Sequence, residues 1–174
     1  MTPVTGIDFE RISLRDALDL AVLIEEEARD RYRELAEQLT AHDTPDVAAF
    51  FSRMAKIEEH HRTELLGRRQ TLFGSAPSSI DRRNLFDVEA PGYDEARAFM
   101  GVRQALETVL AAEVRAHDFF REALPRVKDP ELKALFEELR LEEVHHQALV
   151  KAELARCPER PDDSEAYADD PVAQ

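Results

Sequence analysis

Two short stretches of the chain set glutamate beside histidine: "KIEEHH" (residues 56–61) and "RLEEVHH" (residues 140–146). In the first, Glu58 and His61 stand three residues apart. In the second, Glu143 and His146 do the same. Residues i and i+3 of an α-helix lie about 60° apart on one face, so both side chains can reach one cation. Carboxylate oxygen together with imidazole nitrogen is a ligand set for a divalent metal such as iron or manganese. One such pair on an acidic helix usually marks nothing more than a solvated face. The chemistry becomes specific only if other residues single these pairs out.

The helical period does so. Apolar positions alternating by four and three trace the buried stripe of a helix. One such stripe reads Val47, Phe51, Met54, Glu58, His61, Leu65, and a second reads Leu132, Phe136, Leu139, Glu143, His146, Val150. Two further stripes carry one acid each. They are Leu14, Leu18, Ala21, Glu25, Ala28, Tyr32, Leu35, Leu39 and Val102, Leu106, Val109, Glu113, Ala116, Phe120. A lone buried carboxylate is costly. Four of them with two imidazoles, each near the middle of its helix, need a common cause. Two divalent cations supply one, because they neutralise four carboxylates and leave the histidines uncharged. This reasoning selects Glu25, Glu58, His61, Glu113, Glu143 and His146. Glu59, His60, Glu142 and His145 are read as flanking or solvent-facing, or else as neighbours that support the ligands. Tyr32, two turns beyond Glu25, is either a core aromatic or a hydrogen-bonding group beside the metals.

Four long helices must position these residues. The first is expected over about Leu14–Thr40 behind a Ser13 cap. The second starts at "TPD" with Thr44 as cap and Pro45 at the first turn, and ends at Gly74. The third covers about Val102–Leu124, with helical turns before it from Asp94, and Pro125 closes it. The fourth follows the Asp129 cap and Pro130 to about Arg156. Residues 1–12 form an N-terminal arm, 13–156 the bundle, and 157–174 an acidic, disordered tail. The connection over residues 74–93 is long for a bundle; Leu85, Phe86 and Val88 are expected to pin it. The halves repeat. Glu25, Ala28 and Asp30 recur 88 positions on, and Pro45, Phe51, Glu58, His60 and His61 recur 85 positions on. Each half is thus one helical hairpin.

Composition bounds the partners. The net charge is −14, and no basic patch stands out, which argues against nucleic acid and anionic membranes. No apolar run is long enough to span a bilayer or to serve as a signal peptide. Cys157 is the single cysteine, so no intrachain disulfide forms, and a reducing, cytoplasmic setting is expected. Cys157 itself reads as an incidental free thiol.

One Glu from each of two helices plus Glu-x-x-His from each of the other two is the pattern of di-iron and di-manganese carboxylate bundles, and a single long crossover belongs to their ferritin-like members. The motifs "EEEARDRY" (25–32), "MAKIEEHH" (54–61), "EVRAHDFF" (113–120) and "LRLEEVHH" (139–146) resemble those of the rubrerythrin branch of that superfamily. The resemblance covers roughly residues 13–156. It implies an all-α, ferritin-like four-helix bundle holding two iron ions, with manganese as the alternative metal. It also implies oxidation of Fe(II) by O2 or H2O2, as a ferroxidase or a peroxide-reducing oxidoreductase. The other readings are iron storage or delivery without turnover, and a metal-stabilised structural bundle. Rubrerythrins proper add a rubredoxin module with paired Cys-x-x-Cys; its absence here calls for an external electron donor. A further family Glu on the third helix is Ala116 here, which bears on the choice of oxidant. Bacterioferritins carry a haem-binding Met where this chain has Glu59, so haem is not expected. A homo-oligomer, dimer or larger, is expected.

Overall fold

The computed structural model describes residues 7–41, 45–78, 80 and 101–157. Four helices follow in order: α1 (Leu14–Ala41), α2 (Pro45–Phe73), α3 (Val102–Ala123) and α4 (Pro130–Leu154). Their ends obey local chemistry. Ser13 Oγ accepts from Asp16 N at 3.1 Å and donates to Asp16 Oδ2 at 2.7 Å, capping α1. Asp129 Oδ1 accepts from the N–H groups of Glu131 and Leu132 at the start of α4, with Pro130 in its first turn. Helix α2 ends where Gly74 takes φ +53°, a left-handed conformation that costs glycine nothing, and its N–H donates to Gln70 O. Thr44, the crossover residues Leu85, Phe86 and Val88, the turns expected from Asp94, and the tail beyond Cys157 lie outside the described residues.

Helix α1 packs along α2, and α3 along α4, so the bundle is two hairpins. The apolar stripes close into two clusters. One gathers Leu18, Ala21, Phe120, Phe136 and Leu139. The other gathers Ala28, Tyr32, Phe51, Met54, Val109 and Val150. Each large side chain that leaves water here contributes about 1.5–3 kcal/mol. On α1, Glu25 falls between Ala21 of one cluster and Ala28 of the other. On α4, Glu143 falls between Leu139 and Val150. The acids therefore form a polar layer between two dry ones.

Two contacts tie peripheral segments to the bundle. Phe9, before α1, is buried edge-on against Phe119 and Phe136, with ring centroids 5.4 and 6.1 Å away. Arg69 reaches from α2 to Asp19 of α1 at 2.8 Å and donates to the carbonyls of Gly74 and Ala76. It anchors the start of the crossover to α1. Among the described residues, no helix is long and apolar enough to cross a membrane.

Candidate metal centre

All four stripe glutamates are buried, Glu58 completely so. Each reaches the interior because its helix is held by apolar neighbours one turn above and below. The two histidines meet across the bundle with their rings stacked, 5.4 Å apart at 16°. His146, 1% exposed, points Nδ1 at Glu58 Oε1 and Glu113 Oε2, each 3.4 Å away, and at Glu143 Oε2, 3.6 Å away. His61, with 16% of its side chain exposed, points Nδ1 at Glu58 Oε2 (3.7 Å), Glu25 Oε2 (3.8 Å) and Glu142 Oε2 (3.9 Å). Glu58 thus stands between the two imidazoles. All six residues selected from the sequence come together in one layer.

Among the described residues, three triads have ligand atoms within 4.8 Å of one another: Glu58, His61 and His146; Glu25, His61 and Glu142; and Glu113, Glu143 and His146. Donors on opposite sides of one ion, each about 2.1 Å from it, are separated by roughly 4.2 Å, so these groups are of the right size. The polar atoms fit a cation as well. His61 Nδ1, both ring nitrogens of His146, and Glu113 Oε2 are buried without a hydrogen-bond partner among the described residues. Native interiors rarely leave such atoms unsatisfied, and a bound ion is one of the reasons they do.

The electrostatics agree. Burial alone would lower the His146 imidazole. Glu113, Glu58 and Glu25 outweigh it and push that group up to about 9. Glu25 above all, aided by Glu142 and Glu64, raises His61 against the opposing effect of burial. In the metal-free chain, protons therefore carry charge that a cation would otherwise supply.

The neighbours of the ligands divide. His60 and His145 face solvent, and His60 lies 3.6 Å from Glu64. Glu59 also points away from the centre. Arg29 Nη1 donates to it across the hairpin at 2.7 Å and holds its carboxyl below the usual range. Glu142 is the neighbour that meets a ligand instead of solvent. It turns inward to His61, and burial, reinforced by Glu25 and Glu138 and opposed by His61, raises its carboxyl. No sequence signal separates Glu142 from Glu59, since each has an apolar partner in the repeat, Ile57 and Val144. Tyr32 stacks on Phe51 at 5.9 Å, and its buried hydroxyl has no hydrogen-bond partner among the described residues. Cys157 is free and packs partly buried against the second apolar cluster.

The rubrerythrin family model matches residues 16–154. The chain belongs to the rubrerythrin family, and its four-helix architecture is that of the ferritin-like bundles. A solved structure of an uncharacterized conserved protein from Magnetospirillum magnetotacticum MS-1 is similar, with TM-score 0.70 and 27% identity, covering 86% of this chain and 99% of that one. No curated protein matches the chain.

Proposed function

We propose that this bundle holds two iron ions in its polar layer and oxidises Fe(II) with O2 or H2O2. The observation that carries this reading is the convergence of four buried carboxylates, one from each helix, on two imidazoles with unsatisfied nitrogens. Family membership supports iron over other divalent metals. When bound, a pair of iron ions supplies one electron each to an oxidant.

The protein's own groups do the rest. Glu25, Glu58, Glu113 and Glu143 neutralise the cations. His61 and His146 give up their protons on metal binding and become neutral donors. The apolar layers above and below keep bulk water out. We assign the Tyr32 hydroxyl, which has no hydrogen-bond partner among the described residues, to a carboxylate of the centre once metal is bound, since helical side chains lean toward the N-terminus and so toward the level of Glu25. For repeated peroxide reduction we expect electrons from a donor outside the bundle, since the bundle itself holds no Cys-x-x-Cys pair. We also expect a homo-oligomer, dimer or larger, and a cytoplasmic setting in which Fe(II) persists.

The test is stopped-flow oxidation of anaerobically loaded protein. The expected result is uptake of about two Fe(II) per chain, followed on mixing with O2 or H2O2 by near-ultraviolet absorption that rises faster than in protein-free buffer. Comparing the two oxidants resolves the ferroxidase and peroxidase forms. Oxidation no faster than in buffer contradicts the proposal.

A further inference from the structure

Position 142 breaks the repeat that generates the rest of the centre. The relation that carries Glu58 onto Glu143 and His61 onto His146 carries Ile57 onto Glu142. The chain therefore holds a carboxylate on one side of the centre where the other side has a hydrocarbon. That carboxylate is not a solvated surface group. Its neighbours on α4 show the alternative: Leu141 is 54% exposed, and His145 faces solvent. Glu142 keeps only 27% of its side chain exposed and brings Oε2 to 3.9 Å from His61 Nδ1. It does so although Glu25, another acid, closes the same triad within 4.8 Å. Two carboxylates crowding one imidazole repel each other unless a cation joins them.

We propose that Glu142 is a ligand of the metal ion at the His61 position. This deepens the proposed function and rests on it. The His61 position then draws on Glu25, Glu58, Glu142 and His61, and the His146 position on Glu58, Glu113, Glu143 and His146. The two positions have similar donor sets from unequal sources. One is fully enclosed. The other carries its extra acid on the partly exposed side.

The experiment is anaerobic Mn(II) binding followed by the electron paramagnetic resonance of the free ion, with no turnover involved. Wild type, Glu142→Gln, Glu142→Asp and His145→Ala are compared. The substituted positions are partly or largely exposed, and circular dichroism and the melting temperature of the metal-free proteins verify the fold. Wild type is expected to bind two Mn(II). Glu142→Gln should weaken one of the two by at least about tenfold and leave the other unchanged. Glu142→Asp should recover part of that loss, and His145→Ala should match wild type. If wild type binds two ions and Glu142→Gln gives a superimposable isotherm, Glu142 is not a ligand while the metal reading stands. If wild type binds none, the metal reading fails and takes this inference with it.

Discussion

The His61 and His146 sides of the centre belong to hairpins that repeat one residue pattern, yet they are not alike. His146 is enclosed, 1% exposed, with acids from α2, α3 and α4 around it. His61 is reached by solvent, and outside it lies an ion-pair layer: Arg29 with Glu59 and Asp30, and Arg62 with Glu59 and Glu26. In the second half the places of Arg29, Glu59 and Arg62 are taken by His117, Val144 and Gln147. Gln147 donates to the Glu113 carbonyl instead of pairing with an acid, and Val144 is exposed. The comparison teaches that the ligands and their surroundings answer to different demands. The paired Glu25 and Glu113, Glu58 and Glu143, and His61 and His146 are the same in both halves. Those one helical step outward differ, and they set how closed each side is.

The largest effect should come from the group the two sides share. Glu58 stands within 3.7 Å of both imidazoles. Glu58→Ala should therefore empty both positions, whereas loss of Glu25 or Glu113 should weaken mainly one. Metal content by elemental analysis distinguishes these outcomes, with helicity checked by circular dichroism. Retention of two ions by Glu58→Ala would break the view that it is the common ligand.

Acid should separate the sides next. In the metal-free chain His146 titrates near 9, above its unfolded value, so its contribution to stability is complete below about pH 6.5 and is lost as pH rises through about 9. The metal-free melting temperature should fall over that window. Metal affinity at the His146 position should climb over the same window by up to about tenfold per pH unit, because binding expels that proton. His61 is raised too, but its side is open to solvent. Calorimetric titrations at pH 6.5, 7.5 and 8.5 measure the slopes; a flat His146 slope contradicts the assignment.

How much of this could be read from sequence depends on whether a residue's role is fixed by its own helix. The stripes placed Glu25, Glu58, Glu113 and Glu143 inside because a helix that buries Leu18, Phe51, Leu106 and Phe136 must also bury what lies in register with them. Caps at Ser13 and Asp129 were legible for the same local reason. Interactions between helices were not. Nothing in one helix tells that Arg29 will meet Glu59, that Arg69 will meet Asp19 and the Gly74 carbonyl, or that Phe9 will slot against Phe119 and Phe136. Glu142 sits at the margin of its stripe. Whether such a residue turns in or out depends on the opposite hairpin, where His61 waits.

Smaller effects sharpen the comparison. Tyr32→Phe removes only a hydroxyl and keeps the stacking on Phe51. It should leave two ions bound while slowing oxidation, read by stopped-flow against wild type; an unchanged rate would return Tyr32 to a purely packing role. Arg29→Ala breaks the partly exposed pair with Glu59 and should cost no more than about 1 kcal/mol in chemical denaturation, with metal content intact. His60→Ala should change neither quantity measurably, since its ring lies in solvent beside Glu64.

The most direct test of the centre is to locate the metal. Crystals grown without metal and soaked anaerobically in Mn(II) should show two anomalous-scattering peaks in the layer between the apolar clusters. One should lie among Glu25, Glu58, Glu142 and His61, and the other among Glu58, Glu113, Glu143 and His146. Peaks confined to surface groups such as His60 and Glu64, with the buried carboxylates unchanged, would contradict the account.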